Sequence, residues 1–383
     1  MAALASAVDF PAAPRSTYLN TASVALMYDG CRQAIDDWNR GVAEDGTVFF
    51  DEVAEQTIFE PLHDAFARLV AATPHDIAVA SSATEQLASV AWAIMPPAGS
   101  RVLTTGIVFP TTIYPFARVA RHTGASVEFV PGDDGYVPPE RLLQAIDDTT
   151  SVVCLSHVEF GSGQLYDLAT FAEVCHDHGA LLVVDATQSA GAIDIDAPAS
   201  GVDVLISGGY KWLCGPFGAS VMYLAPHLQT SLEPGLIGFR SNKDIWKLDV
   251  DYQDYPDSAH RFEFSTMAYG NAAGLAQSVR FLADIGVDAI QAHNLGLADR
   301  LLAGLDELGA EIVSPRDAAE RTSIVSARIA GLDSGDVVRH LDGQGIVVSP
   351  RRDLFRFSIH LYNSVDDIDR ALAAVAELVS SAR

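Results

Sequence analysis

Lysine is almost missing from this chain. Only Lys211, Lys243 and Lys247 occur, and with arginine the basic total reaches 24 against 50 acidic residues, a net charge of −26. A surface this negative repels phosphate backbones and anionic headgroups over a Debye length or more, so no nucleic-acid or membrane partner is expected. The acidic excess fits a halophilic surface or simple solubility equally well. Cysteine is scarce as well: Cys31, Cys154, Cys175 and Cys214 contain no CxxC pair, which excludes a disulfide framework and a zinc site and suits a reducing compartment. No window approaches the roughly 20 uninterrupted apolar residues of a membrane-spanning helix. The opening MAALASAVDFPAAPR has no basic residue ahead of an apolar stretch that Asp9 and prolines interrupt, so no secretory signal is expected and the location read is cytoplasmic. Also absent are a GxSxG elbow, a P-loop, a GxGxxG opening the first βα unit, internal repeats and low-complexity tracts.

What is present is a well-packed chain of 383 residues, 49% hydrophobic and 19% charged, long enough for two domains or one large α/β unit with an appendage. Between about 75 and 225, short apolar runs alternate with helix-period segments, the pattern of βαβ crossovers and a mainly parallel sheet. Seven strands are expected: 77–80, 101–105, 126–130, 151–156, 180–185, 202–207 and 219–224. Their Val/Ile/Leu density predicts burial on both faces. Leu87, Ala91 and Ile94 mark one helix face; Leu168, Phe171, Ala172 and Cys175 mark another, ended by Gly179. Beyond 226 a stretch rich in Pro, Gly, Asp and aromatics reads as a connector. It leads to a smaller α+β unit with strands TSIVSARI, IVVS and LFRFSIH and a last helix opened by Ser364 with Asp367 three residues on. The expected division is an arm over 1–20, a large domain over 21–265 and a small one over 266–383.

The chemistry concentrates at the carboxyl ends of the strands. Lys211 follows an apolar strand in SGGYKWLCGPFG, where a glycine-flanked amine suits a Schiff-base nucleophile, although a plain loop lysine fits the motif too. Asp185 ends another strand in LLVVDATQSAG and should emerge at the same sheet edge, where a carboxylate wants a cation such as a pyridinium nitrogen. In SSATEQL, Ser81, Ser82 and Thr84 precede an amphipathic helix, and hydroxyls with free amides there suit an anion such as phosphate. His157 with Glu159 and His176 with His178 have the look of metal-ligand pairs, but His176 and His178 diverge on a helix, so no metal site is expected.

The ordered set SSATEQ, FPTTIYPF, DATQSAG, SGGYKW, RFEFST and RFSIHLYN resembles the class V aminotransferases, the cysteine desulfurase-like branch of the fold type I pyridoxal-phosphate enzymes. The resemblance runs from about residue 17 to 380. It implies an α/β fold with a seven-stranded, mainly parallel sheet, helices on both faces and a smaller C-terminal α+β domain. It makes Lys211 the Schiff-base lysine, Asp185 the partner of the pyridine nitrogen, and Gln188 the donor to the phenolic oxygen. Phosphate contacts fall to Thr84, the amide of Ala83 and Tyr210, with Ser207 one residue short of the usual serine position, which Gly208 fills. Phe109 matches the ring-stacking position, where phenylalanine can stack but cannot move protons. Thr266 matches a threonine that reaches the cofactor phosphate of a neighbouring subunit, implying a homodimer with shared sites. Arg356 matches the clamp on the substrate α-carboxylate. Arg351 and Arg352, close by, suggest a second anionic group on the substrate.

The departures point to the reaction. Where desulfurases carry a nucleophilic cysteine, this chain reads IVVSPRRDLFRFS with none, and Phe160 replaces an asparagine beside Glu159. Cys214, three residues past Lys211, reads as packing. The expected activity is a pyridoxal-phosphate enzyme on a small amino acid that removes the α-proton, favoured as a β-eliminating C–S lyase, with aminotransferase or epimerase as the alternative. A cofactor-binding protein without turnover would need none of Lys211, Asp185, Gln188 and Arg356 together.

Overall fold

The computed structural model describes residues 1–382. The chain opens with β1 (Thr17–Tyr18), α1 (Asp29–Asp45), α2 (Glu52–Thr57) and α3 (Glu60–Leu69), and then alternates. It runs β2 (Ile77–Ala80), α4 (Ala83–Ile94), β3 (Arg101–Thr105), α5 (Pro110–Thr123), β4 (Ser126–Val130), α6 (Pro139–Gln144) and β5 (Thr150–Ser156). There follow α7 (Leu168–Asp177), β6 (Leu181–Asp185), α8 (Ala197–Ser200), β7 (Val204–Gly208) and β8 (Ser220–Leu224). These seven strands, β2 to β8, form one sheet in the order β2-β8-β7-β6-β5-β3-β4, parallel except for β8, which runs antiparallel to both neighbours.

The strands read as continuous apolar runs because alternate residues serve two cores. Val153, Leu155, Leu182, Val184 and Leu205 face one cluster with Phe66, Phe171 and Leu275 of helices on that side. Val152, Cys154, Val183, Val204 and Ile206 face the other, with Leu87, Ile113 and Phe116. Leu168, Phe171, Ala172 and Cys175 are buried together on α7 as their spacing predicts, with Asp167 accepting from the Ala169 amide at its start. The exception to two-sided burial is β4. It is the last strand of the sheet, and Ser126, Glu128 and Phe129 are exposed along it.

The chain continues through α9 (Tyr269–Ile285), α10 (Val287–Glu307), β9 (Glu311–Ile312), β10 (Ile324–Arg328), α11 (Ser334–Gly343), β11 (Ile346–Val347), β12 (Ser349–Arg351), β13 (Leu354–Ser358) and α12 (Val365–Ala382) into a second unit. A four-stranded antiparallel sheet, β12-β13-β10-β9, packs on its helices around Leu301, Leu305, Phe355, Phe357, Ile368 and Val375. Ser364 opens α12 by donating its amide and hydroxyl to Asp367, both at 2.9 Å. Two features cross the division expected from the sequence. Ala272, Leu275, Val279 and Leu282 of α9, and Val287 and Ile290 of α10, belong to the large core, whereas the small core takes up α10 from Leu297. We therefore propose a boundary within α10 rather than at 266. The N-terminal segment is shared: Phe10 is buried in the large core and Leu19 in the small one, and β1 pairs in parallel with β11. Among the described residues no helix is long and apolar enough to cross a membrane.

Candidate active site

Lys211 is placed by a loop that leaves little freedom. The Tyr210 carbonyl accepts from the Ala25 amide at 3.0 Å, the Cys214 carbonyl from the Tyr28 amide at 3.0 Å, and the Gly215 amide donates to the Gly209 carbonyl at 2.8 Å. His360, buried and held neutral by a pKa pushed down to about 3, donates from Nε2 to the Trp212 carbonyl at 3.0 Å. The glycines are demanded by packing: a Cβ on Gly215 would lie 2.5 Å from a Leu275 methyl, and one on Gly209 would lie 3.0 Å from the Ala219 carbonyl.

Lys211 is 8% exposed. Among the described residues no carboxylate comes within ion-pair distance of its amine, which sits 5.5 Å from the Phe109 ring centre and 5.6 Å from that of Tyr210. Burial pushes its pKa down to about 8; Asp185 opposes the shift, and Arg356 and Arg351 reinforce it. A buried amine near its midpoint at neutral pH is a nucleophile in waiting. At pH 7.5 it holds on the order of a hundredfold more free amine than an ordinary lysine.

Asp185 is fixed at the end of β6. Its Oδ2 accepts from Thr112 Oγ1 at 2.9 Å and its Oδ1 from the Thr187 amide at 3.0 Å. Gln188 Nε2 donates to the Ala22 carbonyl at 3.0 Å while its Oε1 accepts from Trp212 Nε1 at 2.8 Å, leaving one amide hydrogen for the cleft. Opposite lies the start of α4, where Ser82 accepts from the Glu85 amide and the first helical amides have no partner in the helix. Thr111, in the first turn of α5, lies beside Thr84, their hydroxyls 3.4 Å apart.

These groups line one cleft of about 580 Å³: Ala83, Thr84, Phe109, Asp185, Gln188, Tyr210 and Lys211 are brought together, joined by Ser82, Thr111, Ser156, Phe160 and Thr187. Three expected residues lie elsewhere. Ser207 is buried in β7, its Oγ reaching only the Gly208 carbonyl at 3.4 Å. Thr266 is exposed in a separate depression with Ser81 and Glu85. Arg356 stands behind Phe160, with no exposed surface, donating from Nη1 to the Phe160 carbonyl at 2.6 Å and from Nη2 to Ser23 Oγ at 2.8 Å.

Thr112 and Ser23 escaped the sequence reading. Thr112 lies inside FPTTIYPF, but nothing local says which threonine turns toward Asp185. Phe160 meets Phe109 edge-on at 5.3 Å, and Glu159 lines a neighbouring cavity rather than the cleft. The histidines are spoken for: His157 bonds Ser189, and His176 and His178 face Asp203 and Asp148. Among the described residues no group of three or more His, Cys, Asp or Glu could hold a metal.

An amine for an aldehyde, a carboxylate for a ring nitrogen, an amide hydrogen for a phenolate and a helix start with two hydroxyls for a phosphate are what pyridoxal phosphate requires, and the cleft supplies each. On a seven-stranded sheet of this order they define a pyridoxal-phosphate enzyme of fold type I. A family model, Aminotransferase class-V, matches residues 51–371, and the chain belongs to that family. Its relatives include a probable cysteine desulfurase of Pyrococcus abyssi, 27% identical over 98% of this chain and 97% of that one. Another is an uncharacterized aminotransferase, YcbU, of Bacillus subtilis, 28% identical over 96% and 95%. Among solved structures, the apo cysteine desulfurase of Thermococcus onnurineus superposes with a TM-score of 0.87 at 26% identity, covering 98% of this chain and 97% of that one. A mutant of the protein C-DES with glycine covalently linked to its PLP cofactor shares the fold, with a TM-score of 0.89 at 23% identity over 97% and 99%.

One consequence is checkable directly. The rate at which the apoprotein captures pyridoxal phosphate should rise with pH through a midpoint near 8, because only the neutral amine attacks and burial has moved that midpoint down. Stopped-flow absorbance reads it; a midpoint above 10 would contradict the buried setting of Lys211.

Proposed function

We propose that the chain is a β-eliminating C–S lyase acting on a sulfur-containing α-amino acid. The supporting observation is that no cysteine can take sulfur from the substrate. Cys31, Cys154, Cys175 and Cys214 are all fully buried, and burial raises each thiol, Cys31 and Cys175 to about 12 and the other two well above the usual value. A thiol held protonated at neutral pH is neither nucleophile nor acceptor.

The residues divide the work. Arg356 is the clamp for the α-carboxylate, a buried guanidinium whose Nε has no partner in the protein and which wants an anion. Asp185, immobilised by its bonds from Thr112 and Thr187, is the counter-charge for the ring nitrogen. Gln188 is the donor for the phenolic oxygen; Thr84, Tyr210 and the Ala83 amide are donors for the phosphate. Phe109 covers the cleft. When bound, pyridoxal phosphate supplies the sink for the electron pair left at the substrate Cα. Lys211 Nζ then takes the Cα proton, a transfer that needs a base titrating close to the working pH. The Cβ–S pair leaves on sulfur and is protonated to a thiol; the remaining three-carbon fragment takes up water and gives pyruvate and ammonium.

Thr266, exposed and outside its own cleft, we assign to the phosphate of a partner copy in a cytoplasmic homodimer. A holoenzyme that sediments as a monomer with full activity would overturn this.

The deciding experiment is a spectral titration of holoenzyme with cysteine, cystine and S-alkylcysteines, assaying pyruvate, thiol and the state of the cofactor together. Pyruvate is expected in equal amount with sulfide from cysteine, persulfide from cystine and thiol from the S-alkylcysteines, with the starting cofactor spectrum regained. Conversion of the cofactor to its amine form without pyruvate would establish transamination and sink the lyase.

A further inference from the structure

In a chain with twice as many acids as bases, three guanidinium groups beside the active site go without an acid. Among the described residues neither Arg351, Arg352 nor Arg356 has a carboxylate within 4.0 Å. Arg351 donates to the Pro350 carbonyl and to Ser23 Oγ, the hydroxyl that also takes Arg356. Acids do lie close by: Asp134 and Asp353 share a wall with Arg351 and Arg352, but both are held by Arg328, at 2.7 and 3.0 Å. One anion, the α-carboxylate, accounts for Arg356 and leaves the other two unexplained.

The four residues of that wall belong to a second cavity of about 1260 Å³ at the carboxyl ends of β3, β4 and β5, beneath the turn between β12 and β13. Phe160 lines both this cavity and the Lys211 cleft, so the two adjoin. Ile107, Phe129 and Leu354 make much of its lining apolar. Among its lining side chains Glu159 is buried, 1% exposed; its Oε1 accepts from Thr105 Oγ1 at 2.8 Å, and the buried Tyr166 hydroxyl lies beside the same carboxyl. Burial raises that carboxyl to about 8, so at neutral pH it is an O–H donor and does not repel an anion.

We propose that this cavity is the side-chain subsite of the reaction above, and that it selects α-amino acids whose side chain is an apolar stem ending in a carboxylate. The stem runs past Phe160 along Ile107 and Phe129, and Arg352 takes the distal carboxylate with Arg351 beside it. The inference rests on the amino-acid reading of the Lys211 cleft and adds the class of side chain.

The test needs no turnover. Holoenzyme is titrated with alanine, 2-aminooctanoate and 2-aminosuberate, which lack a leaving group on Cβ, and Kd is read from the cofactor absorbance. 2-Aminosuberate should bind about tenfold more tightly than 2-aminooctanoate of equal length, as one charged hydrogen-bonded pair warrants. In Arg352→Gln that ratio should fall to about one. Ile107→Trp, which fills the cavity without touching the arginines, should weaken both long ligands relative to alanine. A response to alanine with no preference between the long ligands, or a preference that both variants leave intact, overturns the subsite alone. A holoenzyme that responds to no amino acid overturns the amino-acid reading and the subsite with it.

Discussion

Replacing Lys211 by alanine is expected to abolish turnover, by about 10³-fold or more, the scale of a lost proton-transfer group, and to end covalent retention of the cofactor. No other lysine can substitute. Lys243 and Lys247 are half-exposed on the connector, facing Asp254 and Asp249. With three lysines in the chain, borohydride reduction followed by peptide mass spectrometry gives an unambiguous answer: the adduct belongs on the peptide containing Lys211 and disappears in Lys211→Ala. An adduct on Lys243 or Lys247, or a variant that keeps its activity, would refute the assignment. Adding a small primary amine should restore part of the proton transfer in Lys211→Ala, which separates a missing base from a misfolded site.

Asp185→Asn tests the other half of the chemistry. The amide keeps the shape, and its one oxygen can still accept from the Thr187 amide while its NH2 faces the Thr112 hydroxyl as a donor, but the charge that would hold the ring nitrogen protonated is gone. We expect kcat to fall by about 10²–10³-fold, the range for one removed electrostatic group, with KM changed far less because the carboxylate clamp we propose at Arg356 is untouched. The cofactor absorption should shift at the same time. Thr112→Val, which removes one hydrogen bond to Oδ2, should lower kcat by a smaller factor with the same unchanged KM. A loss in Asp185→Asn no larger than that of a packing variant elsewhere in β6, with no shift in the cofactor absorption, would reduce Asp185 to a packing residue.

Much of this site is legible in the sequence because polar residues that terminate apolar strands have few other places to go. Lys211 and Asp185 declare themselves that way, and the alternation of their strands locates both at one edge. The same alternation explains the fate of Ser207. A shift of one residue exchanges the faces of a strand, and Ser207 stays buried in the sheet while Gly208 holds the position at its end. What the sequence hides is contact between distant segments. Ser23 is more than 300 residues from the two arginines it joins, and no spacing rule connects them. The placement of α9 is hidden for a related reason: its apolar stripe would satisfy either core, and only the position of α1 and α3 decides. The reversed direction of β8 is equally silent, since a buried strand reads the same in both directions.

The pairing of β1 with β11 carries a consequence for biosynthesis. Thr17 and Tyr18 leave the ribosome early, yet their partners are Ile346 and Val347. At ordinary elongation speeds the first strand waits on the order of tens of seconds for its mate, a long-range closure of the kind that slows folding. The large core contains nearly all of its own residues and can condense meanwhile, so the small unit closes last, drawing Leu19 into its core and Ser23 onto Arg356. A nascent chain stalled before residue 346 should therefore show protease-resistant sheet but an open, cleavable amino-terminal segment, with Arg351 and Arg356 joined to Ser23 only at release.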